Sequence, residues 1–404
     1  MNDVDAVIRG ALGEVFPAAQ LEVRQLRAGA GRGGTWTTLF SGAYGWLDPE
    51  TKSRPTRAGT LFDLASVTKL FVVTAFMTLV EEAAASLDQP VSDVLAEFSG
   101  MRTIGPYEDP LVPGAWVAVE SAPGDEPAHA VDAGRVTFRQ LLIHSSGLPA
   151  WRPLYRAGSP DAALALALGT HFSYPTGSRV VYSDIGLILL GLAIERLAHV
   201  SLDEAIRRRV TEPLGLGATR YLPIVPHGSS PVHLEGVAPT EVCAWRGRRL
   251  VGEVHDENAA GLGGVAGHAG LFSTAADVAA LGQMYLAARV AHVAAPGPVR
   301  LSGGRPLLRP ETVAEMTRLQ AEDGDTRRGL GFALWSPDPA AAGHPLGPGA
   351  YGHTGFTGTS LWIDPGRGLV VACLTNRVYY GRDARGILAF RVALHRAIVE
   401  ATDS

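Results

Sequence analysis

One stretch of the sequence restricts the possible folds more than any other: Leu70–Val80, which is apolar on every face of a helix. Such a helix has no side suited to water and must lie in the middle of a protein. This run and a second one, Ile185–Ile194, are both too short to cross a bilayer. The chain therefore needs a large core, which 404 residues with 46% hydrophobic content can supply.

The predicted strands are clustered towards the two ends of the chain. They are Leu21–Arg27, Thr35–Ser41, Thr60–Leu64, Tyr351–Phe356, Ser360–Ile363 and Leu369–Thr375, with a Gly-rich turn at Ala28–Gly34. Amphipathic helices are predicted over Met1–Gln20 and Ala384–Ala401, and the pattern from Asp88 to about Val200 is mostly helical. We therefore predict an α+β fold: an antiparallel sheet built from both termini and flanked by helices, with an inserted, mainly helical lobe.

The predicted sheet domain comprises residues 1–65 and 262–404, and the helical lobe comprises residues 66–261. A Pro- and Gly-rich stretch, residues 104–134, is expected to form a loop excursion from the lobe. Further loops are expected around Pro223–Pro239 and Asn258–Gly270. Because ligands commonly bind between lobes, we expect a cleft where the two lobes meet.

The composition excludes several classes of partner. The formal net charge is -5 and no long Lys or Arg run occurs, so we expect no nucleic-acid partner. The N-terminal segment lacks the features of a secretion signal, so we expect a cytoplasmic protein without a membrane span.

Cys243 and Cys373 have no metal-ligand spacing and are expected to be buried thiols, although a single bridge fits the sequence as well. The oligomeric state is not indicated.

The segment Ser66-Val67-Thr68-Lys69 lies at the start of the buried helix. Spacing of three places Ser66 and Lys69 on one face of the first turn, where free backbone N–H groups favour an oxyanion. The alternative, a simple N-cap at Ser66, would favour Glu or Gln at the third position rather than a lysine. Lys and Arg total 35, yet only Lys52 and Lys69 are lysines, which favours a chemical role for Lys69. We predict that Ser66 is a nucleophile and Lys69 its base.

A second motif, Tyr182-Ser183-Asp184, immediately precedes an apolar helix. A phenol near Ser66 and Lys69 can pass a proton to a leaving group, so Tyr182 is predicted to be catalytic. The alternative is that Ser183 or Asp184 caps the helix while Tyr182 packs, and the two interpretations are compatible.

The third motif, His353-Thr354-Gly355, lies on a predicted strand. The missing side chain of Gly355 would let a substrate backbone approach this edge. His353 and Thr354 are candidates to bind a substrate carboxylate, and the Phe356 N–H is a candidate second oxyanion donor beside that of Ser66. In isolation the triplet is better interpreted as an ordinary strand flanked by a turn.

The three motifs in this order resemble those of the penicillin-recognising serine hydrolases, which include class C β-lactamases, D-alanyl-D-alanine carboxypeptidases and esterases. Leu141–Leu148 and Gly270–Asp277 are also similar, and the resemblance extends from about Gly42 to Asn376. It implies an acyl-enzyme on Ser66, acid and base roles for Lys69 and Tyr182, and no metal or cofactor.

Two residues depart from the family pattern. The second motif usually ends in Asn, whereas ionised Asp184 only accepts hydrogen bonds and can pair with Lys69, raising the Lys69 pKa and shifting the base role towards Tyr182. The third motif often begins with Lys, and His353 supplies a weaker positive charge for a substrate carboxylate.

A polar loop with His255, Asp256 and Asn258 is expected to border the cleft. Although Glu257 and His268 lie nearby, no compact ligand spacing is present, so no metal site is predicted. The loop resembles that of a branch containing a muropeptide amidase. We therefore predict an acyl hydrolase of a cell-wall-derived peptide or muropeptide amide, or of a β-lactam. The alternatives are a carboxylesterase of the same fold and, ranked below it, an inactive cell-wall-fragment binding protein.

Overall fold

The computed structural model describes residues 2–27, 34–112, 114–118, 130–222, 234–293 and 306–403. Within these ranges the α-helices are α1 Asn2–Ala11, α2 Thr68–Glu81, α3 Phe138–Leu142, α4 Pro160–Leu168, α5 Asp184–Ala198, α6 Leu202–Ile206, α7 Glu257–Gly261, α8 Ala275–Val293, α9 Pro310–Thr317 and α10 Arg385–Asp403. The strands are β1 Ala18–Arg27, β2 Thr35–Gly45, β3 Phe62–Asp63, β4 Met101–Thr103, β5 Tyr107–Glu108, β6 Trp116–Val117, β7 Ala130–Asp132, β8 Arg220–Tyr221, β9 Val242–Cys243, β10 Arg248–Arg249, β11 Leu271–Ser273, β12 Ala321–Asp323, β13 Thr326–Arg328, β14 Ala333–Leu334, β15 Tyr351–Thr354, β16 Ser360–Asp364 and β17 Leu369–Thr375.

The main sheet has eight antiparallel strands in the order β12-β13-β14-β15-β16-β17-β1-β2. Strands from the two ends of the chain meet where β1 pairs with β17, in a register that places Leu21 opposite Cys373. The predicted α+β fold with one antiparallel sheet built from both termini is confirmed.

The two faces of the sheet pack against different helices. Along β17, alternate residues beginning at Leu369 contact the terminal helices α1 and α10, and those beginning at Val370 face the core shared with α2 and α8. This alternation follows from the two-residue period of a strand. Each fully buried Leu or Val contributes about 1.5–3 kcal/mol to folding, so a register shift of one residue would be strongly disfavoured.

Helix α2 lies in the centre of the larger core, as predicted from its apolar composition. Its residues from Thr68 to Leu79 are all buried, and it packs against α5 and α6. Since this core also contains side chains of the sheet, such as Val370 and Leu361, sheet and helices share one hydrophobic interior.

The lobe boundaries at residues 65 and 261 stay a prediction. Cys243 and Cys373 are both buried free thiols.

The predicted N-terminal helix is too long. It ends at Ala11, and β1 begins at Ala18, although the amphipathic pattern continues to Phe16. Gly13 adopts a left-handed φ of 86°, which stops the helix, and Pro17 disfavours helical geometry at the residue before it.

The stretch between Asp88 and Val200 is less helical than predicted. Residues 104–134 include the short hairpin of β5 with β6, and β7 pairs with β4. Residues 113 and 119–129 of that excursion, residues 28–33 of the Gly-rich turn and residues 223–233 of the expected loop lie outside the described residues.

Within the described residues, no single helix meets the length and hydropathy required for a membrane span, and only the bent pair Asp184–Ala198 with Leu202–Thr211 does so jointly.

Candidate active site

Ser66 lies on a tight turn between β3 and α2. The residue before it, Ala65, has a left-handed φ of 45°, which costs a residue with a side chain about 1–3 kcal/mol. The buried carboxylate of Asp63 stabilises this turn by accepting the Ala65 N–H at 2.8 Å. Its other oxygen accepts the His255 N–H at 2.6 Å, so one side chain holds two distant segments together.

Lys69 is buried directly beneath Ser66, with 1% of its surface exposed. Its Nζ donates to Ser66 Oγ at 2.9 Å, to Asp184 Oδ1 at 2.7 Å and to the His268 carbonyl at 3.0 Å. These three bonds use all three protons of an ammonium group. Burial lowers the Lys69 pKa, but the Asp184 carboxylate and the Tyr182 oxygen outweigh it, so the pKa lies above its ordinary value.

The predicted contact between Asp184 and Lys69 is therefore present. Asp184 is the first residue of α5, and the Ser183 side chain caps that helix by accepting the Gly186 N–H. The cap interpretation of this motif and its place beside Lys69 hold together.

The Tyr182 ring lies 4.8 Å from Lys69 Nζ and packs between the rings of His144 and His353, at 4.6 and 5.8 Å. Its buried hydroxyl faces Ser66 and Lys69 but makes no well-formed hydrogen bond to any described residue. Burial raises the Tyr182 pKa and outweighs the opposing effect of Lys69. Tyr182 is thus a neutral phenol whose proton is free to bond a ligand.

His353 lies on β15 and is 3% exposed. Its Nδ1 is 2.8 Å from the Thr354 carbonyl, which only accepts, so Nδ1 carries the proton and Nε2 presents a lone pair. Burial, and then the charges of Lys69 and Arg328, lower the His353 pKa to about 3. The expectation of a weak positive charge at His353 is therefore wrong, because the imidazole is neutral at physiological pH.

A guanidinium that the sequence analysis did not single out lies at the cleft beside Tyr182. Arg328, at the end of β13, lines the cleft and lies 5.3 Å from the centre of the Tyr182 ring. The preceding Arg327 points elsewhere and pairs with Glu322, whereas no carboxylate of the described residues lies within 4 Å of Arg328. Sequence indicates two adjacent arginines but not which one faces the cleft, because that depends on strand register.

The edge of β15 is open where it borders the cleft. In the described part of the sheet, β14 pairs with β15 only at Tyr351 and Gly352, so β14 does not cover Thr354. Gly355 and Phe356 follow on the same wall. A Cβ at Gly355 would lie 2.1 Å from Thr359 Oγ1 and 2.5 Å from the Leu64 carbonyl. Packing against the turn that holds Ser66 thus requires this glycine whether or not a substrate approaches it.

The polar loop contributes two of its three expected residues to the cleft, His255 and Asp256. Asp256 caps α7 and bonds His268 Nε2 at 2.8 Å, so it supports the residue whose carbonyl holds Lys69. Asn258 does not border the cleft. It is fully buried, accepts the Tyr155 N–H and donates to the Arg152 carbonyl, so its amide serves the backbone.

One group of described side chains has metal-ligand geometry: Glu241, Cys243 and Glu257, whose ligand atoms all lie within 4.8 Å of one another. The Arg382 guanidinium bonds both carboxylates, and Arg246 donates to the Cys243 sulfur. These positive charges already balance the cluster, which therefore favours an ion pair over a bound cation.

The candidate active site opens into a cleft of about 650 Å³, a volume suited to a small molecule or short peptide. Its walls combine the polar residues above with apolar side chains, namely Pro110, Leu111, Trp151, Ile387 and Leu388. Leu111 is 69% exposed and Leu388 48% exposed, so the rim of the cleft is apolar as well.

Comparisons with known proteins show the family and the fold of this chain. The sequence model of the Beta-lactamase family matches residues 30–395. A "Putative D-alanyl-D-alanine carboxypeptidase" of Salmonella agona (strain SL483) is 31% identical over 341 residues, which cover 79% of this chain and 69% of the relative.

Two solved structures have a similar fold. EstCE1, described as a hydrolase with promiscuous acyltransferase activity, has a TM-score of 0.66 at 22% identity and covers 98% of each chain. A penicillin-binding protein homologue from Caulobacter crescentus has a TM-score of 0.66 at 20% identity, covering 99% of this chain and 97% of its own.

The chain belongs to the β-lactamase family. It is a serine acyl hydrolase of the class that acts on amides or esters, as the three motifs predicted.

Proposed function

We propose that Ser66 is the nucleophile and forms an acyl-enzyme, with Tyr182 relaying protons and Lys69 acting as a fixed positive charge. The single observation that supports this most is the three-bond environment of Lys69 Nζ, 2.9 Å from Ser66 Oγ and 2.7 Å from Asp184 Oδ1. An ammonium held in this way has no lone pair for the Ser66 proton. The neutral phenol of Tyr182 faces the same oxygen.

In the proposed acylation, Ser66 Oγ attacks the carbonyl carbon and its proton passes to the Tyr182 oxygen. In the same concerted transfer the Tyr182 oxygen gives its own proton to the leaving nitrogen or oxygen as that bond breaks, so the phenol begins and ends the step neutral. The phenol proton moves ahead of the Ser66 proton, and Lys69 and Arg328 stabilise the partial negative charge that the phenol oxygen carries between the two transfers. Deacylation repeats the relay: water attacks, its proton passes to Tyr182, and the Tyr182 proton returns to Ser66 Oγ.

The nucleophile is tested with a fluorophosphonate probe and intact mass measurement. We expect one adduct on the wild type and none on Ser66→Ala. The proposal fails if the wild type stays unmodified or if Ser66→Ala is labelled at the same rate.

As substrate we infer an amide whose leaving group carries a carboxylate, such as a cell-wall-derived peptide or muropeptide ending in a D-amino acid. Arg328, which lines the cleft beside Tyr182 and has no carboxylate of the described residues within 4 Å, supports this class. The name of the Salmonella agona relative supports it as well. The second candidate, a carboxylesterase, is favoured by the apolar walls and rim around Leu111 and Leu388.

These candidates are separated by rates on matched substrates. Peptides ending in D-alanine should be cleaved faster than the same peptides with an amidated C-terminus, because amidation removes the charge that Arg328 would bind. If short aliphatic p-nitrophenyl esters are turned over far faster than every peptide, the esterase candidate replaces the first.

A further inference from the structure

Two threonines behind the active site connect the two segments that carry the candidate oxyanion donors. They lie in the turn that follows β15, and both side chains are buried, with Thr357 1% and Thr359 0% exposed. Thr357 Oγ1 donates to the Asp63 carbonyl at 2.7 Å, and Thr359 Oγ1 donates to the Leu64 carbonyl at 2.8 Å. We call these two hydrogen bonds the brace.

One end of the brace is attached to the turn that holds Ser66. The two acceptor carbonyls belong to consecutive residues that immediately precede Ala65, whose left-handed φ sets the direction of the chain. The N–H of Ser66 follows at once, so its direction depends on how residues 63–65 are held. The partners in each bond of the brace are almost three hundred residues apart in the sequence. Sequence spacing therefore cannot predict the brace.

The other end is attached to the turn that presents the Phe356 N–H. Gly355 N–H donates to the Thr359 carbonyl at 2.7 Å and Gly358 N–H to the Gly355 carbonyl at 3.0 Å, which makes this turn compact. The buried guanidinium of Arg391 donates to the carbonyls of both Gly355 and Thr359. The turn is therefore rigid in itself, and among the described residues the brace ties it to the Ser66 segment by hydrogen bonds.

We propose that Thr357 and Thr359 are positioning residues that fix the separation of the Ser66 and Phe356 N–H groups. The inference rests on the proposed function, because it concerns stabilisation of the oxyanion formed when Ser66 attacks. Two donors stabilise an oxyanion only when both lie within hydrogen-bonding distance of the same point, and an error of about 1 Å can cost about 100-fold in rate. Without the hydroxyls, the Asp63 carbonyl loses the donor described above and the Leu64 carbonyl keeps only the Val67 N–H at 3.0 Å. Among the described residues, the two segments are then held by packing.

The test uses Thr357→Val and Thr359→Val, singly and together, because valine keeps the shape of threonine and removes the hydroxyl. We expect kcat for p-nitrophenyl acetate to fall about 100-fold in the double variant, with KM changed less than about 2-fold, because the lost interaction exists only in the transition state. Thr357→Ser and Thr359→Ser retain the hydroxyl and should keep kcat within about 3-fold of the wild type.

The matched control is Thr74→Val. Thr74 is 0% exposed and its hydroxyl also donates to a backbone carbonyl, that of Leu70, but it belongs to the interior of α2. The control should lower Tm as the brace variants do and leave kcat unchanged.

Wild-type kcat in the double valine variant would overturn the brace, as would an equal loss in the serine variants or in Thr74→Val. Labelling of Ser66→Ala by the fluorophosphonate is a separate outcome. If Ser66→Ala is unlabelled while the brace variants are fully active, the nucleophile assignment stands and only the brace fails. If Ser66→Ala is labelled, the proposed function itself fails.

Discussion

Replacing Asp184 by Asn tests how the charge on Lys69 is used. The carboxylate oxygen is 2.7 Å from Nζ, the ammonium is 1% exposed and the Asp184 side chain is 20% exposed. Loss of one partner of a buried ion pair costs about 3–5 kcal/mol. Because the amide oxygen of Asn still accepts the Nζ proton and water reaches position 184, we expect about 1–3 kcal/mol at pH 7.

The pH dependence of this loss has a definite sign. In the wild type the pKa of Lys69 is raised above that of the unfolded chain, so the pair's contribution is fully present at neutral pH and disappears only as the pH rises through the folded pKa. In Asp184→Asn burial remains as the main influence and lowers the pKa. The free energy of unfolding of the variant should therefore increase between pH 7 and 9, and its difference from the wild type should shrink.

The assay is kcat against pH for p-nitrophenyl acetate, with chemical unfolding measured in the same buffers. If Lys69 acts as a fixed charge beside Tyr182, the variant loses activity as the pH rises, while the wild type does not. Activity that rises with pH in the variant would show that neutral Lys69 takes the Ser66 proton, and would refute the relay through Tyr182. Asp161→Asn, an exposed carboxylate at the start of α4, is the control for loss of one negative charge.

Three further outcomes follow from the same geometry. Tyr182→Phe should lower the acylation rate about 100- to 10,000-fold, because it removes the proton relay. Its Tm should be equal or higher, because the lost hydroxyl is buried and has no partner among the described residues. A large fall in Tm would contradict this. Arg328→Gln should raise KM about 10-fold for peptides with a free C-terminal carboxylate and leave KM for their amidated forms unchanged; equal effects on both would exclude carboxylate binding. The dependence of kcat/KM on pH should show no ionisation of His353 between pH 5 and 8, because burial lowers the His353 pKa to about 3. If the wild type shows a step in that pH range and His353→Gln does not, the imidazole is not neutral there.

The sequence predicts best what depends on short spacing. Ser66 and Lys69 are three residues apart at the start of a helix, so their contact follows from helix geometry alone. The pairing of Asp184 with Lys69 was also predicted, because an acid in place of the family's Asn has an obvious basic partner. The antiparallel sheet followed from strand patterns at both ends of the chain.

Other features depend on tertiary contacts that leave no local pattern. The choice of Arg328 over Arg327 is a matter of strand register, and the His268 group that holds Lys69 is a carbonyl, which every residue has. Asn258 was placed at the cleft because polar residues in a loop favour a surface, yet its amide satisfies buried backbone groups instead. The N-terminal helix was extended too far because apolar spacing alone does not register the left-handed φ of Gly13.

The meeting of β1 with β17 has a consequence for the chain while it is being synthesised. The Ser66 segment emerges from the ribosome early, but the strand that carries Phe356 and the partner strand for β1 are made near the end. Pairing of such distant segments requires closure of a very long loop, so a nascent chain holds Ser66 before it holds the Phe356 N–H that we predict as its second oxyanion donor. On the proposed mechanism, the site around Ser66 is therefore complete only when the last strands close the sheet.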